Sequence, residues 1–206
     1  MHCLPEGKAL KFKHCYNMEK TFNLIINGVG GQGVITLLSL VDQAAMIEGY
    51  DVRSSELHGL SQRGGSVETH VRFGKKVFSP LIPNGKADLI ISLEMLEGLR
   101  ETAKAGKQTK FLINDFVSPF QGSLTKEEIT KQLKELKNEM HIVAASDICK
   151  ETLQNEVVST IYLLGYAVNK KLIPIKAESV FRAIEKLVPE KYRELNIKAF
   201  NLAHDK

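Results

Sequence analysis

The chain reads as an α/β protein of three layers, α/β/α, with a mostly parallel sheet, one antiparallel hairpin and a helical C-terminal part. Three observations predict this. Short apolar runs of strand length, FNLIIN at 22–27, DLIIS at 88–92 and KFLIN at 110–114, alternate with longer stretches of helical spacing. Connections of that kind return the chain parallel and cover both faces of a sheet. The run GVGGQG at 28–33 links the first strand to the first helix, which makes the pattern Rossmann-like. Beyond residue 147 the spacing is helical throughout.

The elements follow in order. After the strand at 22–27, Leu37, Leu38, Val41, Ala44, Ala45 and Ile47 predict a helix over 34–49, with Gly49 suited to its end. Residues 51–55 form a second strand, and a polar loop occupies 56–65. Over 66–73, Val67, Thr69, Val71 and Phe73 alternate with Ser66, Glu68, His70 and Arg72, a strand pattern. Gly74-Lys75-Lys76 reads as a turn, so Val77–Phe78 is expected to pair back as a hairpin. Pro80, Pro83, Asn84 and Gly85 mark a connection. The strand at 88–92 leads to a helix over 93–105, and 110–114 is the next strand. Thr125 with Glu128 has capping-box spacing for a helix to about Asn138, and 141–145 is the last strand. Helices over 147–153, 155–169, 177–187 and 190–203 complete the chain.

The 206 residues suffice for one α/β unit, expected at 20–206, with 147–206 helical. Residues 1–19 lack core-facing periodicity and read as a loosely ordered extension; Met18 is an alternative start. No apolar run approaches the roughly 18 residues of a membrane span, and the N-terminus has no signal-peptide core, so the expected location is cytoplasmic. Cys3, Cys15 and Cys149 are few and scattered, which fits a reducing compartment; a Cys3–Cys15 disulfide is the weaker alternative. Without a CxxC they hold neither zinc nor an iron–sulfur cluster alone. The net charge is +4, half of it in residues 1–20, where four lysines face two glutamates. The remaining body is nearly neutral and carries no nucleic-acid footprint.

Two loops carry the chemistry. GVGGQG contributes Gly28, Gly30, Gly31, Gln32 and Gly33 between a strand and a helix. Glycines permit a tight turn that aims N–H groups at an anion, where the helix N-terminus adds positive potential. The alternative is tight packing with no ligand. Glu56 is the nearest acid for a ribose hydroxyl. In the polar loop, Arg63 has the fork geometry for a carboxylate or phosphate, and Gly64 and Gly65 allow close approach. His58 titrates near neutrality and Gln62 adds donors and an acceptor. The alternatives are a plain glycine-rich turn and an RNA-binding patch; a single RGG without aromatic interleaving disfavours the latter.

GVGGQGV at 28–34 followed by SELHGLSQRGGSVETHVRFG at 55–74 resembles the gamma-type subunits of the 2-oxoacid:ferredoxin oxidoreductases. The form HG-x-x-QRGGSV-x-x-HVRFG looks most like the indolepyruvate branch. ADLIISLEMLEGLR at 87–100, FLINDFVSP at 111–119 and NIKAF at 196–200 are similar to further family segments, so the likeness covers roughly 22–202. The resemblance implies oxidative decarboxylation of aryl pyruvates with coenzyme A, electrons passing to ferredoxin. It implies a large (alpha) subunit carrying thiamine diphosphate and the iron–sulfur clusters, an α2β2 assembly, and no cofactor held by this chain alone. Arg63 would bind a substrate or CoA anion, with His58, Gln62, Glu94 and Asn114 as polar partners at nearby strand ends. For Glu94 the alternative is an acid favoured by the helix dipole, and for Asn114 a turn former. The rival readings are a stand-alone NAD(P)-binding reductase, a nucleic-acid-binding module, and a gamma subunit for pyruvate or another 2-oxoacid.

Overall fold

The computed structural model describes residues 20–58, 64–118 and 124–204. A six-stranded sheet is built from β1 (Phe22–Val29), β2 (Asp51–His58), β3 (Ser66–Gly74), β4 (Ala87–Ser92), β5 (Ala105–Asn114) and β6 (Met140–Val143), in the order β2-β3-β1-β4-β5-β6. β1, β4, β5 and β6 pair parallel. β3 lies antiparallel between β1 and β2, with Val29 opposite Ser66 and His58 opposite Val67. Two reversals leave β2 running with β1. The carboxyl ends of five strands and the start of β3 therefore share one edge.

The expected hairpin between 66–73 and 77–78 does not form. Both edges of β3 are already taken by β1 and β2, so no ladder is left for Val77–Phe78. That segment instead lies across the strand ends: the Val77 N–H donates to Asp51 Oδ2 at 2.9 Å, and Phe78 is 84% exposed.

The helices are α1 (Val34–Ile47), α2 (Met95–Arg100), α3 (Lys126–Glu135), α4 (Ala145–Leu153), α5 (Ser159–Asn169), α6 (Ala177–Leu187) and α7 (Glu190–Leu202). Helix α2 is shorter than its spacing predicts. Glu94 caps it from outside, Glu101–Lys104 tightens into a 3₁₀ turn, and Ala105 is claimed by pairing with Ala87, which also lengthens β5. The capping box of α3 is present at Thr125 and Glu128. Helix α3 stops before Asn138, whose amide donates to the carbonyls of Gly106 and Thr109 at 2.9 and 2.8 Å. The stretch 155–169 divides into a 3₁₀ turn at Glu156–Val158 and α5.

On one face, Leu24, Ile26, Val71, Leu89 and Leu112 meet Leu37 and Val41 of α1 and the buried side chains of α5–α7. On the other, Ile25, Ile90, Phe111 and Ile113 meet Met95, Ile129 and Leu133. Helix α5 is buried on nearly every side, and a Cβ at Gly165 would lie 2.3 Å from the Phe200 carbonyl oxygen, so α5 and α7 cross in backbone contact. Among the described residues no helix is long and apolar enough to cross a membrane.

Candidate functional site

The glycine loop and the polar loop meet at the carboxyl edge. Gly28 and Val29 end β1, and Gly31 and Gly33 adopt positive φ of 103° and 89°, which favours glycine at both positions. Gly33 caps α1 without a side chain. Gln32 closes the turn from inside: its Oε1 accepts from the Val29 N–H at 2.8 Å, and its carbonyl accepts from Thr160 Oγ1 of α5 at 3.0 Å. A Cβ at Gly28 would lie 2.8 Å from Gln32 Oε1 and 3.0 Å from Leu93 Cβ, whereas one at Gly31 would meet nothing within 4 Å. Packing thus accounts for Gly28, and the space beside Gly31 is open.

The polar loop leaves β2 at His58 and returns through Gly64 (φ 72°) and Gly65. Gln62 and Arg63 lie outside the described residues, as does the side chain of His58. The flanks are fixed: the Gly30 N–H donates to the Gly65 carbonyl at 2.9 Å, joining the two loops directly. Glu56 does not reach the glycine loop, because β3 intervenes between β2 and β1. Two strand spacings, about 10 Å, separate β2 from β1, whereas a ribose-binding acid stands on the strand directly beside the first.

Glu94 and Asn114 stand at strand ends on this edge, and both are buried. Glu94 is the N-cap of α2: Oε2 accepts from the Glu97 N–H at 2.8 Å and Oε1 from the Ser118 N–H at 3.0 Å. Burial raises its pKa, offset in part by those backbone donors. Asn114 donates to the Leu93 carbonyl at 3.2 Å and to Ser146 Oγ at 2.8 Å, tying β4 to the start of α4. Both side chains bind backbone and neighbouring loops, which sets the shape of the edge.

A buried polar group beneath the loops was not anticipated from the sequence. Asn27, opposite Glu68 in the ladder, donates to the Glu97 carbonyl at 2.7 Å. Glu97 accepts from Ser66 Oγ through one carboxylate oxygen and from Arg100 Nη1 at 2.5 Å through the other. The Ile82 N–H donates to His70 Nδ1 at 2.8 Å, so the ring proton sits on Nε2 and points to Glu68 Oε1 at 2.5 Å. That bond holds the Glu68 carboxyl below its ordinary range. Glu101 is pushed up to about 7, first by burial and then by the charge of Glu68. The available signal was the spacing Glu94–Glu97–Glu101, which places three acids along one stripe of the helix expected over 93–105.

A family model, pyruvate ferredoxin/flavodoxin oxidoreductase, matches residues 23–206. The chain belongs to this family. A relative within it, the indolepyruvate oxidoreductase subunit IorB of Pyrococcus horikoshii, is 36% identical over 190 residues, 89% of this chain and 94% of the relative. The pyruvate/ketoisovalerate oxidoreductases common subunit gamma of Pyrococcus abyssi is 30% identical over 182 residues, 87% of this chain and 94% of that protein. Among solved structures, the keto/oxoacid ferredoxin oxidoreductase gamma subunit of Geobacter sulfurreducens has the same fold, with a TM-score of 0.68 at 21% identity over 89% of this chain and 96% of that one. As a member of the pyruvate ferredoxin/flavodoxin oxidoreductase family, the chain is an oxidoreductase component whose β3 stands where a dinucleotide-binding sheet keeps its second strand.

Proposed function

We propose that the chain is the small subunit of a cytoplasmic, CoA-dependent complex that oxidatively decarboxylates aryl pyruvates such as indolepyruvate. The products are an aryl-acetyl-CoA and carbon dioxide, and the electrons pass to ferredoxin. The large subunit carries thiamine diphosphate and the iron–sulfur clusters, in an α2β2 assembly, and this chain is inactive without it. The three scattered cysteines of the chain fit that division, since they are too few for a cluster ligand set.

The observation that carries the reading is the Gly30–Gly65 bridge, which sets a glycine loop and the flanks of an arginine-bearing loop side by side at the carboxyl edge. Parallel α/β sheets bind ligands at that edge. In this reading Arg63 takes the 2-oxoacid carboxylate or a CoA phosphate, and His58 and Gln62 add hydrogen bonds. Gly64 and Gly65 let the ligand approach the backbone, and the amides around Gly31 offer a second anion contact. Glu94 and Asn114 act from behind by holding the segments that follow β4 and β5. Indolepyruvate is favoured over pyruvate by the higher identity to the indolepyruvate relative, 36% against 30%.

The test is to tag the chain in its native host and assay what co-purifies. The expected result is a large partner with thiamine diphosphate and iron–sulfur clusters, and ferredoxin reduction that needs both indolepyruvate and CoA. Pyruvate-driven reduction with no response to indolepyruvate would reassign the substrate. A chain that purifies alone and binds NAD(P) would overturn the subunit reading. In the assembled enzyme, Arg63→Lys is expected to lower kcat/KM by roughly ten- to a hundredfold, because a point charge replaces a bidentate fork.

A further inference from the structure

Residue 97 fastens both loop-bearing strands to α2. Its carbonyl accepts from Asn27 Nδ2, the side chain just before Gly28 on β1. Its carboxylate accepts from Ser66, the first residue of β3 after Gly64 and Gly65. Between those two anchors runs the Gly30–Gly65 bridge. The glycine loop and the return limb of the polar loop therefore share one support at a buried residue, the first through its backbone carbonyl and the second through its carboxylate.

The choice of an acid at this position has a local price. Glu94 lies one turn before Glu97 and Glu101 one turn after; burial raises the carboxyl groups of both, and the charge of Glu97 adds a smaller push in the same direction. Arg100, 57% exposed, supplies the compensating charge through the other oxygen. An ionised acceptor gripped from one side by a cation is a stiffer anchor for the Ser66 hydroxyl than a neutral one, because charge-assisted hydrogen bonds are shorter and stronger.

We infer that Glu97 is a positioning residue of the anion site: held by Arg100, it fixes Ser66 and so the register of the Gly65 carbonyl against the Gly30 amide. The inference rests on the anion-site reading above. Displacements of an ångström at aimed backbone amides weaken binding of an anion without unfolding the protein.

The experiment uses the assembled complex, with KM and kcat for indolepyruvate and CoA as readouts and thermal melting as the folding control. Ser66→Ala and Glu97→Gln are expected to raise the KM of one anionic substrate about tenfold, with kcat within about twofold and melting little changed. Ser66→Thr, which keeps the hydroxyl, is expected to restore the wild-type KM. If Glu97→Gln does not fold, Ser66→Ala with Ser66→Thr decides alone, since Ser66 is exposed. Unchanged KM in Ser66→Ala, alongside a raised KM in Arg63→Ala, overturns the positioning role and leaves the anion site standing. Unchanged KM in both overturns the positioning role together with the reading beneath it.

Discussion

The two faces of the sheet are cut from the same strands and are built differently. Toward α1 and α5–α7, β1 and β3 present Leu24, Ile26, Val71 and Phe73, and the contact is mostly apolar, with the buried Thr69 hydroxyl donating to the Ile26 carbonyl at 3.0 Å. Toward α2, the same two strands present Asn23, Asn27, Glu68, His70 and Arg72 around Ile25. Period-two alternation produces this division, since neighbours in a strand point to opposite faces. The polar half is closed by hydrogen bonds. Arg72 donates to Asn23 Oδ1 at 2.8 Å and to the carbonyls of Ser79 and Leu81 at 2.9 and 3.2 Å, and His70 receives the Ile82 N–H. These bonds lay the 75–86 segment over the strands. One face therefore stabilises by burial, and the other holds particular backbone groups in place, under the edge where the loops meet.

That contrast can be attacked from either side. The largest effect belongs to the apolar face. Gly165→Ala places a Cβ 2.3 Å from the Phe200 carbonyl oxygen, so α5 and α7 must separate. The expected loss is about 3 kcal/mol or more, measured by denaturant unfolding. A loss under about 1 kcal/mol would show that the helical layer yields easily and is less rigid than its packing implies.

On the polar face the response should depend on pH. Glu101 has its carboxyl raised from 4.5 to about 7, so the folded state keeps a proton that the unfolded chain has lost. Below pH 4.5 both states are protonated and nothing is lost. From 4.5 to 7 the penalty grows, and above 7 it is complete, at about 3 kcal/mol. Glu101→Gln should then leave stability nearly unchanged at pH 4 and raise it by about 2–3 kcal/mol at pH 8. Equal effects at both pH values would mean that this face carries no electrostatic strain. The smallest expected effect lies away from both halves: Thr125→Ala removes the capping box of α3 and should cost about 1 kcal/mol. A much larger cost would tie α3 to the polar region more closely than its packing on Ile129 and Leu133 does.

Features that depend on neighbours in the chain were legible in the amino-acid order. The capping box at Thr125, the helix 177–187, the strand core at 88–92 and the glycine turn before α1 follow from spacing, caps and backbone freedom within a few residues. Family membership was legible for a related reason, because the residues around 28–34 and 55–74 are contiguous motifs. Tertiary structure alone decided that β3 inserts between β1 and β2, which removed the expected 77–78 hairpin and parted Glu56 from the glycine loop. It also gathered Asn27, Ser66, Glu68, Glu97 and Glu101, whose meeting depends on strand order and on where α2 crosses the sheet. Those are long-range pairings. Their partners are chosen by the burial and hydrogen-bond satisfaction of the whole sheet, which no window of the sequence contains.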